Sequence, residues 1–126
     1  MTFIYHIATA ADWARACQDG RYTMSTRGRT LAEEGFIHAS TAGQVALVAN
    51  AFYQGEPDLL LLVIDAGRVA EEIRYEHVPG QAQPYPHIYG PLNIDAVVQT
   101  RPFRPAPDGQ FFFDPLNDLP GRRQVL

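Results

Sequence analysis

Hydrophobic and polar positions switch period several times along the chain, and each switch marks an element. Thr2 to Ala8, "TFIYHIA", is rich in β-favouring side chains and roughly alternating, which predicts a first strand. Thr9 then stands as a helix N-cap with Asp12 at the third helical position, and "AADWARACQDG" runs to a glycine stop at Gly20. "RYTMSTRGRT" has no clear period and reads as a loop. "TLAEEG" predicts one helical turn closed by Gly35, followed by "FIHAS" as a short buried strand. Ser40 or Thr41 can cap the next helix, "AGQVALVANAFYQG", where Val45, Val48, Ala49 and Phe52 fall at i, i+3, i+4 and i+7 and define one apolar face. "DLLLLVIDAG" is apolar on both faces and is predicted to be central in a sheet.

Further on, "EEIRYEHV" alternates Ile73 and Tyr75 against Arg74 and Glu76, giving another strand or strand-like edge. "PGQAQPYPHIYGP" is a rigid non-helical loop around a short extended piece at His87 and Ile88, and "IDAVVQTRPF" is a last β-type run. After Pro105 the composition predicts a tail held mainly by Phe111 to Phe113. The order β-α-loop-β-α-β-β-loop-β predicts a single α+β domain over residues 1–126, with a core to about residue 104 and a tail over 105–126. A doubly wound dinucleotide fold is excluded by the lack of any Gly-x-Gly-x-x-Gly after a strand, and a Walker motif by the lack of any lysine.

Composition adds limits more than chemistry. The chain has 126 residues, 46% of them hydrophobic, and its longest apolar run, Leu59 to Ile64, is too short to cross a bilayer. The N-terminal residues lack a basic start and a long apolar stretch, so no signal peptide and a cytoplasmic location are expected. A net charge of −4 argues against a nonspecific grip on nucleic acid. Every basic residue is arginine; Arg21, Arg27 and Arg29 share one loop that could meet an anion or simply be solvated. The single cysteine, Cys17, is expected to be a buried inert thiol.

The histidines carry the candidate chemistry. His6, His38 and His87 each stand among large apolar side chains on a strand or stiff turn, whereas His77 reads as exposed. An imidazole in such a setting can orient a hydroxyl, move a proton or bind a metal, or it can be a core group satisfied by backbone. Glu76, at a strand end, could act as a base or pair with Arg74. Asp65 and Asp95 are expected to cap or turn the chain, and Tyr85 and Tyr89 flank His87 as candidates for lining a cleft. Three histidines match the ligand set of an open zinc site, but no His-x-His, His-x-x-x-His or His-Glu-x-x-His spacing supports one, and no metal is expected.

Taken together, "IYHIATAADWARACQDGRY", "LAEEGFIHASTAGQVALVANAFY", "LLLLVID", "IRYE" and "PHIYGPLNIDAVV" resemble the bacterial domain-of-unknown-function 952 family. That family is grouped by similarity with the ADP-ribosyltransferase superfamily, and the order of elements is similar to that of the RNA 2′-phosphotransferases. Tyr5-His6 matches their first histidine strand, Gly35 with Ile37-His38-Ala39-Ser40 their second, and Val63-Ile64-Asp65 their hydrophobic strand. Ile7-Ala8 replaces the Gly-Thr of the first motif. The resemblance implies an ADP-ribosyltransferase-like α+β fold and a cleft lined by His6, His38, Tyr89 and His87. It implies NAD or an ADP-ribose-like nucleotide as ligand, with transfer or hydrolysis at the glycosidic carbon. Candidate catalytic groups are His6, His38, His87 and Glu76; candidate nucleotide contacts are His6, Tyr89, Ser40 and Arg27. A non-catalytic binding module, a three-histidine metal hydrolase and a structural partner protein remain as alternatives.

Overall fold

Two three-stranded antiparallel sheets meet along β1, in a computed structural model that describes residues 2–114. In chain order the elements are β1 (Phe3–Thr9), α1 (Ala10–Asp19), β2 (Arg21–Tyr22), β3 (Met24–Thr26), β4 (Arg29–Thr30), α2 (Leu31–Glu34), β5 (Ile37–His38), α3 (Val45–Phe52), β6 (Leu59–Asp65), β7 (Ile73–Glu76), β8 (Tyr85–Ile88), β9 (Leu92–Asn93) and β10 (Val97–Pro102). One sheet has the order β1-β6-β10 and the other β5-β8-β7; β2 pairs with β9, and β3 with β4. The architecture is α+β, with antiparallel sheets and few helices.

The predicted central strand is central. β6 is paired on both edges, and its alternate side chains enter different cores: Leu62 and Ile64 join Ile4, Tyr22, Ile37 and Ile88, while Leu61 and Val63 join Tyr5, Val45, Ala49 and Phe111. A strand apolar on both faces can satisfy both only when each face is covered. The caps of α1 and α2 also follow the sequence. The Thr9 hydroxyl accepts from the Asp12 amide and Gly20 closes α1 at φ 86°. Thr30 and Glu33 form a reciprocal capping box, and Gly35 closes α2 at φ 89°.

Several expectations are corrected. The segment expected to be a loop, "RYTMSTRGRT", holds β2, β3 and β4, strands of two or three residues, too short to display a period. Neither Ser40 nor Thr41 caps α3: Gln44 is the N-cap residue, and its side chain accepts from the Thr41 amide at 2.9 Å and donates to the Pro84 carbonyl at 2.9 Å. Phe52 leaves the apolar face and is 70% exposed at the end of α3. Cys17 is exposed, and its neighbour Ala16 is the buried residue of α1. Of the tail, Phe111 is buried against Phe103 and held by Asn50, which donates to its carbonyl and accepts from its amide; Phe113 meets the Tyr5 ring at 4.8 Å, and Phe112 is exposed. The rest of the expected tail, 115–126, lies outside the described residues.

Truncating the central strand should be costly. Leu62→Ala, at a fully buried position, is expected to lose about 3 kcal/mol in urea denaturation, whereas Leu47→Ala, at 61% exposure, should stay within about 0.5 kcal/mol of the parent.

Candidate functional site

The two sheets are stitched by one antiparallel bridge, Tyr5 to Ser40, whose amides and carbonyls exchange hydrogen bonds of 2.8 Å. His6 reinforces the same seam. Its Nδ1–H donates to the His38 carbonyl, and its Nε2 accepts from the Tyr22 hydroxyl at 2.8 Å. A carbonyl can only accept, so the two bonds together fix the neutral tautomer with hydrogen on Nδ1. Burial, the dominant effect, holds the His6 pKa down at about 4. Burial likewise pushes the Tyr22 hydroxyl up.

A cleft of about 350 Å³ opens at this seam, a size suited to a small molecule. Its walls are mostly apolar, with Tyr5, Val48, Phe52, Tyr53 and Val78 among them. Its polar wall carries His6, His38, His87 and Ser40. The three histidines therefore come to one place, although they lie on three strands. Among the described residues, no arginine lines the cleft.

His87 differs chemically from His6. It pairs in register with His38 across β5 and β8 and with Arg74 across β8 and β7. Its Nδ1 lies 2.8 Å from Glu76 Oε1, and its Nε2 is buried with no partner. The Tyr89 hydroxyl donates to the same carboxylate oxygen at 2.5 Å. These bonds, Tyr89 first and His87 second, hold the Glu76 carboxyl below its usual range. Glu76 is thus a carboxylate that accepts the Nδ1–H of His87, which leaves the lone pair of a neutral imidazole on Nε2. Glu76 does not line the cleft while His87 does. An anchored imidazole with a bare nitrogen can accept a hydrogen bond or take a proton.

His38 stands edge-on to His87, with ring centres 5.3 Å apart. Glu34 Oε1 is 3.7 Å from its Nε2. Burial lowers its pKa most, and the like charge of His87 lowers it further, against the opposing pull of Glu34. Phe36 stacks on His87 at 4.1 Å and meets His38 at 4.7 Å, filling the space between the imidazoles and Tyr89.

The other candidates are placed differently. Ser40 lines the cleft. Tyr89 and Glu76 stand behind His87, outside the lining. Arg74, the alternative partner of Glu76, pairs with Glu72 at 3.0 Å and lies over the Tyr89 ring. Arg27 pairs with Glu56 and sits 5.4 Å from the centre of the ring of Tyr53, which lines the cleft. Asp65 turns the chain as expected, accepting from the Gly67 amide at 2.9 Å. His6 has no nitrogen left for a ligand or metal, and among the described residues no group of three His, Cys, Asp or Glu side chains is placed to hold an ion. Sequence reasoning missed Tyr22, Glu34, Phe36 and Tyr53. Two of these were accessible from spacing: Phe36 lies two residues before His38, just ahead of β5, and Glu34 lies four residues before it on the closing turn of α2.

The chain resembles known proteins over most of its length. A family model described as "Protein of unknown function (DUF952)" matches residues 7–100. The crystal structure of protein CC0527 from Caulobacter crescentus is 30% identical with a TM-score of 0.77, covering 88% of this chain and 94% of that one. The solution NMR structure of CC0527 is 32% identical with a TM-score of 0.72, covering 87% and 91%. No curated protein matches. No helix among the described residues is long and apolar enough to cross a membrane.

The buried His6 makes stability depend on pH. Its folded pKa of about 4 lies below the unfolded value of 6.5, so between these values the unfolded chain binds the extra proton and stability falls as pH falls. Urea denaturation should lose on the order of 3 kcal/mol from pH 6.5 to pH 4 through this group, and His6→Gln should flatten that step. An unchanged step in a folded variant would assign it elsewhere.

Proposed function

Since the chain belongs to the family of proteins of unknown function DUF952, its activity is argued from its own residues, and we propose that the seam cleft binds a small molecule through the bare Nε2 of His87. The observation that carries this reading is the orphaned nitrogen itself. A buried polar atom without a partner costs about 1–3 kcal/mol, and a ligand hydroxyl or amide that donates to it recovers that cost. The apolar and aromatic walls supply the area, and Glu76 sets the direction of the hydrogen bond.

The ligand chemistry we assign is the sugar-and-base part of an NAD- or ADP-ribose-like nucleotide, on an ADP-ribosyltransferase-like fold. Flat aromatic walls suit a base, and a ribose hydroxyl suits His87. Arg27, 5.4 Å from the centre of the Tyr53 ring, is the cation we assign to the pyrophosphate, in exchange for its pairing with Glu56. Ser40 is a further polar contact in the cleft. His6 contributes by holding His38 in position, since neither of its nitrogens is free. A transfer or hydrolysis at the glycosidic carbon would use His87, backed by Glu76, to take the proton of the attacking hydroxyl. A non-catalytic binding module shares the binding and lacks the turnover.

Thermal-shift titration with NAD, ADP-ribose and nicotinamide tests the reading. A saturable upshift is expected, worth about 2.7 kcal/mol at a hundred times the dissociation constant. His87→Phe, which keeps a ring against Phe36 and removes both nitrogens, should weaken binding at least about tenfold, the worth of one hydrogen bond. No shift with any of the three compounds, or equal shifts in the folded variant, contradicts it.

A further inference from the structure

We propose that Tyr89 is a positioning residue for His87: through Glu76 it fixes which imidazole nitrogen carries the hydrogen, and with its ring it holds Arg74 off that carboxylate. This rests on the reading of the cleft as a ligand site and adds to it the group that decides what kind of ligand atom the site accepts.

Tyr89 lies outside the cleft lining, so its hydroxyl acts on the protein and not on a ligand. The group it acts on is a poor anchor alone. The Glu76 side chain is 38% exposed, and a carboxylate in contact with water turns readily about its last bond. Two donors meet on its Oε1, the Nδ1–H of His87 at 2.8 Å and the Tyr89 hydroxyl at 2.5 Å. One oxygen has lone pairs for both, and the second donor confines the carboxylate to the orientation that serves the first. Of the bonds that hold the Glu76 carboxyl below its usual range, the one from Tyr89 weighs most. Tyr89 is fixed in turn: its amide donates to the Glu72 carbonyl at 2.8 Å, and its ring lies 5.4 Å from that of Phe36.

Arg74 is the rival for Glu76. It pairs in register with His87 across β7 and β8 and stands two residues before Glu76 on the same strand. Its guanidinium lies 4.3 Å from the centre of the Tyr89 ring and pairs with Glu72 at 3.0 Å. An aromatic face attracts a guanidinium, so the ring and Glu72 together keep this cation occupied.

The consequence is a choice of ligand group. An imidazole free in water prefers its hydrogen on Nε2, and in that form His87 donates from Nε2 and meets a ligand carbonyl or carboxylate. With Glu76 locked by Tyr89 the hydrogen stays on Nδ1, and Nε2 accepts from a hydroxyl or amide. Tyr89 thus selects donor groups without touching them.

The test is a long-range ¹H–¹⁵N spectrum of His87 in ligand-free protein at about pH 8, above the ordinary imidazole range. Tyr89→Phe, at a half-buried position, keeps the ring for Arg74 and Phe36 and removes the hydroxyl. The ratio of Nδ1–H to Nε2–H on His87 should fall about threefold to tenfold, the worth of one hydrogen bond. Tyr89→Leu also frees Arg74 and should lower the ratio further; adding Arg74→Gln should return it to the Tyr89→Phe value. His6, whose partners are His38 and Tyr22, is the internal control and should keep its signals in every variant. A His87 ratio unmoved in Tyr89→Phe overturns the proposal, as does a change that His6 shares, and either result leaves the binding reading standing. Hydrogen on Nε2 of His87 in the unsubstituted protein overturns both. No ligand is used, so a failed ligand titration leaves the role of Tyr89 standing.

Discussion

One imidazole fastens the molecule together. His6 spans from β1 to the β5 backbone on one side and to Tyr22 on the other, and its two hydrogen bonds lie beside the one bridge that joins the sheets among the described residues. A seam with one bridge has few backbone bonds to hold it, so a neutral side chain with one donor and one acceptor serves as the missing rung. Burial keeps it neutral, and neutrality keeps both bonds in the right sense. The position of the cleft follows, because Tyr5, His6, Ala39 and Ser40 are both the residues of the seam and part of the cleft wall.

The three histidines thus divide the work by environment. His6 is satisfied by the protein on both nitrogens and acts as structure. His87 is satisfied on one nitrogen by a carboxylate and bare on the other. His38 is half-buried and reaches solvent, with a weaker carboxylate contact at 3.7 Å. Carboxylate backing of an imidazole is the usual means by which proteins fix a tautomer for proton transfer or hydrogen bonding. Around these groups the cleft is apolar, so a hydrogen bond made there competes little with water.

Much of the frame is legible in the sequence itself. β1, α1 and β6 are long enough to show a period, and Thr9, Gly20, Thr30 and Gly35 carry cap chemistry that acts locally. The short strands at residues 21–30 could not be read, since two or three residues show no alternation and their partners, such as β9, lie far along the chain. The histidines were visible as oddities, but their roles depended on groups distant in sequence. Tyr22, which uses up the second nitrogen of His6, lies in the segment that read as a loop. Glu76 could equally have paired with Arg74; the β7 to β8 register, which turns both toward His87, and the capture of Arg74 by Glu72 decide the matter. Phe52 matched a helical apolar face, yet the end of α3 leaves it at the rim of the cleft.

The central claim is that Glu76 holds His87 in one tautomer and leaves Nε2 without a protein partner, free to accept from a ligand. A long-range ¹H–¹⁵N spectrum of the imidazoles near neutral pH, recorded without ligand and again with ADP-ribose, tests this most directly. The account predicts a protonated Nδ1 and an unprotonated Nε2 on His87, with the Nε2 signal moving as ligand is added. A hydrogen found on Nε2 in the free protein, with Nδ1 unprotonated, would contradict it.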